Sequence, residues 1–256
     1  MPIFEKLDAP AKPGAAACVS TIQVRALGIG QVLLDGKPLT KTNWVSNSTK
    51  ELFFLLLAHR EGLRREQILE ILWGRRSESE ASVVFHSTTY RLRRAIPNCL
   101  VHEDSLYLLN PAMNFNDDVT QFEEALRRAE QTRSNSERIH QYTVAVNLYR
   151  GDYLEELYSD WCMEIRERLR RQYLDALFAL AEIYERRGNL AQALEHYRTC
   201  IEKNRDREEA YRAMMRLQFR VGDRAGAARN AHTYTWEEFS RSWSLTLARM
   251  LPRITW

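Results

Sequence analysis

Residues 85–96, FHSTTYRLRRAI, repeat their apolar side chains with the period of one buried helix face. With about 3.6 residues per turn, such spacing places the apolar groups on one side of a helix. That side holds Phe85, Thr88, Leu92 and Ile96, with Thr89 and Ala95 at its edges. The chain has no Asp or Glu between Ser82 and Pro97, so the opposite side is positively charged. We therefore predict an amphipathic helix that buries one side and presents cations on the other.

The residues before this helix predict a small sheet and two shorter helices. Residues 21–42 contain period-two alternation and the hairpin turn Asp35-Gly36, which favour an antiparallel sheet. Helical spacing then begins near Ser48, and Gly62 and Gly74 end two successive segments. The three helices are expected at about residues 48–62, 63–73 and 78–96.

The residues after the helix predict a β-hairpin. Residues 100–103 and 106–109 are short apolar strands, and Asp104-Ser105 forms a tight turn between them. The order of sheet, three helices and hairpin predicts a winged helix-turn-helix domain over residues 21–110, which is an α+β fold.

The chain beyond residue 110 predicts a second, all-α domain over residues 111–256. Residues 110–114 are expected to form the linker, and helical spacing dominates afterwards. The tetratricopeptide order of large, large, Gly, small and aromatic residues occurs at Leu180, Tyr184, Gly188, Ala193 and Tyr197. A degenerate second copy has Met214, Gly222 and Ala227, and 34 residues separate Gly188 from Gly222, which is the period of that repeat. We predict a tetratricopeptide-like helical array.

Length and composition exclude several classes of protein. The 256 residues suffice for two ordinary domains, and residues 1–20, rich in Ala and Pro, are expected to be a disordered tail. The longest apolar run, residues 52–58, is far too short to span a membrane, and no export signal is recognisable. We expect a cytoplasmic protein with no membrane partner. The four Cys and six His lack the spacing of a metal site or a disulfide framework.

Known catalytic and cofactor motifs are missing from the sequence. Gly28-Ile29-Gly30 lacks the third glycine and the following helix of a dinucleotide site, and Gly36-Lys37-Pro38 lacks the hydroxyl residue of a P-loop. No serine stands in a nucleophile elbow. The sequence predicts a protein that is not an enzyme and needs no cofactor.

The distribution of charge favours a nucleic-acid partner for the first domain. Residues 21–110 hold twelve basic and nine acidic residues, whereas residues 111–256 hold twenty-three of each. The excess positive charge therefore coincides with the domain that contains residues 85–96.

Two sets of residues resemble one family of regulators. Residues 85–96 resemble the third helix of OmpR-type DNA-binding domains, in the form found in SARP-type activators. Residues 118–123 and 148–154, and Trp161 with Arg166 and Leu169, resemble the bacterial transcriptional activator domain that follows it. This resemblance covers residues 21–240 and implies a bacterial transcription activator that binds repeated promoter sites on double-stranded DNA, as a homodimer there, and contacts RNA polymerase. Residues 74–79 occupy the position that faces the polymerase in OmpR-like proteins, and a flexible connector is the alternative interpretation of this loop. Residues 243–256 do not match the family's closing segment, and their role stays open.

The third helix supplies the candidate DNA contacts. Hydroxyl, apolar and cationic groups on its exposed side suit hydrogen bonds to base edges and packing against thymine methyls. The base-contacting candidates are Val83, Ser87, Tyr90 and Arg94. The phosphate-contacting candidates, some at helix N-termini, are Thr49, Lys50, Arg64, Arg65, His86, Arg91 and Arg93, and His102 is the wing candidate. In a second arrangement Ser87 and Tyr90 contact bases while Arg94 holds a phosphate. The basic face could also be no more than a solvated surface.

Two other functions compete with DNA binding. The chain could be a tetratricopeptide-like adaptor whose winged domain does not bind DNA. It could also be a ligand sensor whose concave helical face presents Tyr184, Tyr197 and Tyr211. The sequence does not identify an effector ligand.

Overall fold

The structure is a computed structural model that describes residues 21–233 of the chain. The predicted tail and residues 243–256 lie outside the described residues. The chain divides into two compact units. Among the described residues, the first contains 21–23 together with 32–116, and the second contains 24–31 together with 117–233.

The first unit has the order of elements that the sequence predicts, with three short additions. Its elements, numbered along the chain, are β1 (Thr21–Arg25), β2 (Gln31–Leu34), β3 (Lys37–Pro38), α1 (Lys41–Trp44), α2 (Asn47–Ala58), β4 (Leu63–Arg64), α3 (Arg65–Trp73), α4 (Glu78–Ala95), β5 (Leu100–Glu103), β6 (Leu106–Leu109) and β7 (Asn114–Asp117). The additions are α1, β4 and β7. The sheets have the strand orders β3-β2-β1-β7 and β4-β6-β5.

The two hairpin turns of this unit form as predicted. Asp35 and Gly36 have φ of 49° and 78° and join β2 to β3, with Leu34 opposite Lys37. Asp104 and Ser105 have φ of 49° and 67° and join β5 to β6. Two successive residues in the left-handed region match the twist of antiparallel strands, and Asp and Gly adopt this region easily. The second hairpin is the wing.

The core of the first unit lies between α2, α4 and the wing sheet. Helix α2 buries the run Leu52 to Leu56 completely. On α4, Phe85 stacks edge-on against Tyr107 of β6 at 5.0 Å between ring centroids and against Trp73 of α3 at 6.4 Å. Ser77 caps α4: its hydroxyl accepts the Glu80 N–H, and the Glu80 carboxylate accepts the Ser77 N–H. These contacts fix the direction of α4 relative to the wing.

The second unit is an array of helices. In chain order they are α5 (Asp118–Gln131), α6 (Asn135–Leu148), α7 (Asp160–Arg186), α8 (Leu190–Lys203), α9 (Glu208–Arg220) and α10 (Arg224–Thr233). Gly188 and Gly222, both with positive φ, end α7 and α9, as the predicted repeat requires. Ala181, Ala193, Tyr197 and Met214 pack in one buried cluster. The predicted winged fold followed by a helical array is confirmed.

Residues 24–31, from the end of β1 to the first residue of β2, belong to the second unit. The Asp118 carboxylate accepts the Ala26 N–H at 2.7 Å and the Leu27 N–H at 3.3 Å, and Arg150 pairs with it at 3.0 Å. The Gly28 N–H donates to the Asp152 carbonyl at 3.0 Å. Burial raises the pKa of Asp118, while the two N–H donors and Arg150 oppose that rise.

The division of the described chain therefore differs from the predicted boundary. Apart from residues 24–31, the second compact unit begins at residue 117, and Asn114–Asp117, close to the expected linker, pairs as strand β7. The assignment of residues 21–110 and 111–256 as separate domains stays a prediction. Among residues 21–233, no helix is both long and apolar enough to cross a membrane.

Candidate nucleic-acid interface

The buried side of α4 is the one that the sequence predicts. Phe85, Thr88, Leu92 and Ile96 are all buried, as are Thr89 and Ala95 at the edges of the stripe. These contacts rigidly orient the helix, so the opposite side is presented in a defined direction. A surface that must match the grooves of a duplex needs such a support.

The exposed side of α4 carries the four base-contacting candidates. Val83 and Tyr90 have 70% and 61% of their surface exposed, which is unusual for large apolar side chains. The Arg94 guanidinium lies 6.0 Å from the centroid of the Tyr90 ring, one turn away. The Ser87 hydroxyl donates to the Val84 carbonyl at 2.9 Å, so its oxygen lone pairs stay available as acceptors. The side therefore combines apolar, hydroxyl and cationic groups within a few turns.

The charges around this side are of one sign. His86 and Arg93 are exposed and Arg91 is partly exposed, and all three flank the base-contacting candidates. The acids of α4, Glu78 and Glu80, occupy its first turn, where they stabilise the helix dipole. Hydrogen bonds from the hydroxyl and the backbone N–H of Ser77 to the Glu80 carboxylate lower the pKa of Glu80 and favour its ionised form. The acid-free part of the helix is thus residues 81–95, about four turns.

The candidates at the start of α2 differ in accessibility. Thr49 is fully buried, its N–H donates to the Ser46 hydroxyl, and its own hydroxyl is bonded to the same group. The prediction that the Thr49 side chain contacts a phosphate is therefore wrong. Thr49 instead completes the N-terminal cap of α2 and packs inward. Lys50 is half-buried, and its ammonium lies 5.9 Å from the Phe54 ring centroid.

The candidates at the start of α3 also separate into two kinds. Arg64 is exposed and lies at the N-cap position, where a phosphate contact is sterically open. Arg65 donates to the Ser82 hydroxyl at 2.7 Å and lies 5.9 Å from the Phe85 ring centroid. Arg65 thus joins α3 to α4, a structural role that sequence spacing did not indicate.

The wing differs from a simple basic hairpin. His102 is exposed and stacks on Tyr107 at 4.3 Å between ring centroids. Glu103 and Asp104 beside it are exposed acids. The tip of the wing therefore carries negative charge, and His102 is the only basic side chain among residues 100–109.

The tyrosines proposed for a ligand-binding face are mostly core residues. Tyr197 is fully buried, with its hydroxyl donating to Glu185 at 3.2 Å, and Tyr211 is buried as well. Tyr184 stacks on His196 at 5.6 Å. The prediction that these three rings form a concave ligand-binding surface is wrong, because Tyr197 and Tyr211 are buried in the packing between helices.

The described chain shows no arrangement typical of a metal site. Within residues 21–233, no three His, Cys, Asp or Glu side chains converge as ligands. Cys99, Cys162 and Cys200 are buried, and burial raises the pKa of Cys99 to about 12 and that of Cys200 to about 11. These two thiols therefore stay protonated at neutral pH and are poor nucleophiles.

Comparison with known proteins adds two findings. Residues 117–240 match the family model of the bacterial transcriptional activator domain. A solved structure, Mycobacterium tuberculosis EmbR in complex with a low affinity phosphopeptide, has a similar fold, with a TM-score of 0.70 and 15% sequence identity over 91% of this chain. The chain spans 64% of the length of that EmbR chain. A sequence search of curated proteins finds no match.

Proposed function

We propose that the chain is a SARP-type transcriptional regulator that binds double-stranded DNA sequence-specifically and activates transcription, and its match to the bacterial transcriptional activator domain and its EmbR-like fold support this. The proposal includes contact with RNA polymerase, and it places the protein in the bacterial cytoplasm, where both partners lie. The observation that carries it is the exposed side of α4, which presents Val83, Ser87, Tyr90 and Arg94 and carries no acid after Glu80.

The chemistry of this side suits a DNA groove. A guanidinium can donate two hydrogen bonds to one guanine, and Val83 offers an apolar contact for a thymine methyl. Arg91, Arg93 and His86 flank these groups and can neutralise phosphates on either strand. A surface that binds DNA needs few acids, because carboxylates repel the phosphates. A surface that binds another protein has no such general requirement.

We further propose that two copies bind directly repeated half-sites, about one helical turn apart. One recognition helix per chain contacts few base pairs, so a single copy would lack the specificity that a promoter site needs. Adjacent copies on the duplex double the number of base contacts. The homodimer in this proposal exists on DNA.

Selection of bound sites from randomised duplex DNA tests the proposal. We expect an enriched motif that repeats with a spacing of ~10–11 base pairs, and an affinity that falls steeply with salt because phosphate contacts release counterions. As a control, the Arg133→Ala variant should enrich the same motif as the wild type, since Arg133 is an exposed arginine of the second unit between α5 and α6. Absence of binding to any duplex at low salt would favour the adaptor instead. Footprints that saturate with one protomer on a single half-site contradict the paired arrangement.

A further inference from the structure

A cleft of about 230 Å³ opens between α5, α6 and α7 of the second unit. Binding sites for drug-sized molecules occupy about 300–1,000 Å³, so this cleft suits a smaller molecule. Its lining residues all fall between residues 123 and 176, and none belongs to the candidate DNA-binding side of α4. The cleft is therefore a candidate site that the proposed function does not use.

The buried lining of the cleft is apolar and carries two polar atoms that lack partners. Leu126 and Ala176 are 8% and 1% exposed. Tyr142 is 7% exposed, and its hydroxyl has no hydrogen-bond partner within residues 21–233. The side-chain carbonyl oxygen of Gln172 is buried and also accepts no hydrogen bond in that range. Because buried polar atoms are nearly always hydrogen-bonded, these two indicate that the cleft can hold a polar ligand.

Two acids of the lining are already neutralised by the chain. Glu123 of α5 pairs with Arg168 of α7, and Asp175 of α7 pairs with Arg207 at 2.7 Å. A ligand would have to displace an arginine to use either carboxylate. These two acids therefore do not make the cleft a site for a simple cation.

Two further charges at the cleft stay available to a ligand. Arg127 approaches Glu124 at only 3.7 Å, and Arg128 forms the closer contact with that carboxylate. Glu130 is exposed and has no ion-pair partner within residues 21–233. Arg127 and Glu130 stand three residues apart on α5, a spacing at which Cβ atoms are about 5–6 Å from each other. The cleft thus offers one cation and one anion side by side, next to an apolar lining.

We propose that this cleft binds a free α-amino acid with an apolar side chain. Glu130 pairs with the ammonium group, and Arg127 pairs with the carboxylate through its planar guanidinium. The side chain of the ligand packs against the apolar lining. The Tyr142 hydroxyl and the Gln172 amide, which can turn about its terminal torsion, add hydrogen bonds. The proposal does not rest on DNA binding, since every residue that it uses lies on α5, α6 or α7.

A zwitterion fits the two available charges better than an ion of one sign does. An α-amino acid carries its ammonium and its carboxylate on one carbon atom, so both groups reach neighbouring partners on one turn of a helix. A simple amine would be repelled by Arg127, and a simple carboxylate would be repelled by Glu130. The ligand class therefore follows from the signs and the spacing of these two side chains.

Isothermal titration calorimetry of the full chain with leucine, valine, methionine and phenylalanine tests the proposal. At least one of the four is expected to bind at millimolar concentration or below. The amide of that amino acid lacks the carboxylate, and its deaminated acid lacks the ammonium group. Both analogues are expected to bind about tenfold more weakly, because each loses one charge-assisted hydrogen bond.

Variants of the two charges assign each contact. Arg127→Gln should abolish the preference for the amino acid over its amide, and Glu130→Gln should abolish the preference over the deaminated acid. The matched control, Glu195→Gln with Arg198→Gln, alters two exposed charges three residues apart on α8 and should bind the amino acid within about twofold of the wild type. All the substituted side chains are exposed, so the midpoint of thermal unfolding without ligand should not change.

Three outcomes overturn the proposal. The first is no binding of any of the four amino acids, which is expected of a cleft that holds only water. The second is equal affinity for the amino acid, its amide and its deaminated form, and the third is unchanged affinity in both α5 variants. Binding of an amino acid by a chain that binds no duplex DNA would instead refute only the proposed function.

Discussion

Helix α4 and the first turns of helix α7 each bury one stripe of side chains, but their exposed sides carry opposite charges. Each buries one stripe, with Phe85 and Leu92 on α4 and Cys162 and Leu169 on the first turns of α7. On the exposed sides, α4 carries arginines and no acid after Glu80, and α7 begins with three acids, Asp160, Glu164 and Glu167, that have no ion-pair partner within residues 21–233. Packing fixes only the buried stripe, so the exposed charge is free to serve a partner. The positive side of α4 suits a polyanion, whereas the acids of α7 repel one.

The largest expected effect tests whether the two sides of α4 are independent. Leu92→Ala removes a fully buried side chain and should lower the free energy of unfolding by about 2–5 kcal/mol, because a cavity remains. Val83→Ala on the exposed side should change it by less than about 0.5 kcal/mol. Urea unfolding monitored by circular dichroism measures both. A loss of comparable size from Val83→Ala would show that the exposed side also supports the fold.

The sequence predicts α4 well because its signal is local. The buried stripe, the Ser77 cap and the Pro97 stop all lie within about twenty residues, so periodicity and capping identify the helix. Strand β7 was not predicted because Asn114–Asp117 is polar and gains its partner only from β1, far away in the sequence. The same holds for residues 24–31, whose hydrogen bonds reach Asp118 across more than ninety residues.

The candidate site shows the same limit at the level of single residues. Residue type placed Thr49 and Arg65 among the phosphate contacts, since both stand at the start of a helix. Their actual partners, the Ser46 hydroxyl for Thr49 and the Ser82 hydroxyl for Arg65, depend on packing geometry. A Ser or Thr three residues after another hydroxyl residue at a helix start is a signal that could have identified Thr49 as part of a cap. No local signal points to the pairing of Arg65 with α4.

A buried acid of the second unit should behave unlike the exposed acids of α7. Asp118→Ala leaves the Ala26 and Leu27 N–H groups without an acceptor, and we expect a loss of about 2–3 kcal/mol in the free energy of unfolding. Asp118→Asn keeps one carbonyl acceptor and should cost less. Glu164→Gln on α7 is the control and should be nearly neutral. Chemical denaturation of the three variants at pH 7 measures these changes. Equal losses of unfolding free energy from Asp118→Ala and Glu164→Gln would show that the hydrogen bonds from residues 26 and 27 to Asp118 do not stabilise the fold.

The pH dependence of this acid has a definite sign. Burial raises the pKa of Asp118 above its usual 3.8 in the folded state, so the folded chain binds more protons there than the unfolded chain does. The contribution of this carboxyl to stability is then fully present below the unfolded pKa and declines as pH rises through the folded pKa. Asp118→Asn does not titrate. Its stability relative to the wild type should therefore improve as pH is raised from 3.5 toward neutrality, and a constant difference would show that the pKa is not raised.

If the exposed side of α4 binds DNA as proposed, removal of its cation Arg94 should reduce sequence specificity. If Arg94 contacts a base, Arg94→Ala should reduce affinity for the selected site by about 1–3 kcal/mol and relax preference at one position. Competition between the selected site and single-base variants measures this change. Arg133→Ala in the second unit should leave both quantities unchanged. If Arg94→Ala instead lowers the affinity for all duplexes equally and leaves the site preference intact, Arg94 contacts a phosphate, and Ser87 and Tyr90 become the candidates for base contact.

The smallest expected effects separate phosphate contacts from structural cations at the helix starts. Lys50→Ala and Arg64→Ala should weaken binding to all duplexes about equally and flatten the dependence of log affinity on log salt by roughly one unit for each lost contact. Arg65→Ala should instead lower thermal stability, because its guanidinium holds Ser82 and lies over Phe85. Salt titrations and unfolding curves of the three variants give both quantities. If Arg65→Ala flattens the salt dependence without loss of stability, its bond to Ser82 yields to a phosphate on binding, and the positive surface of the first unit extends from α4 onto α3.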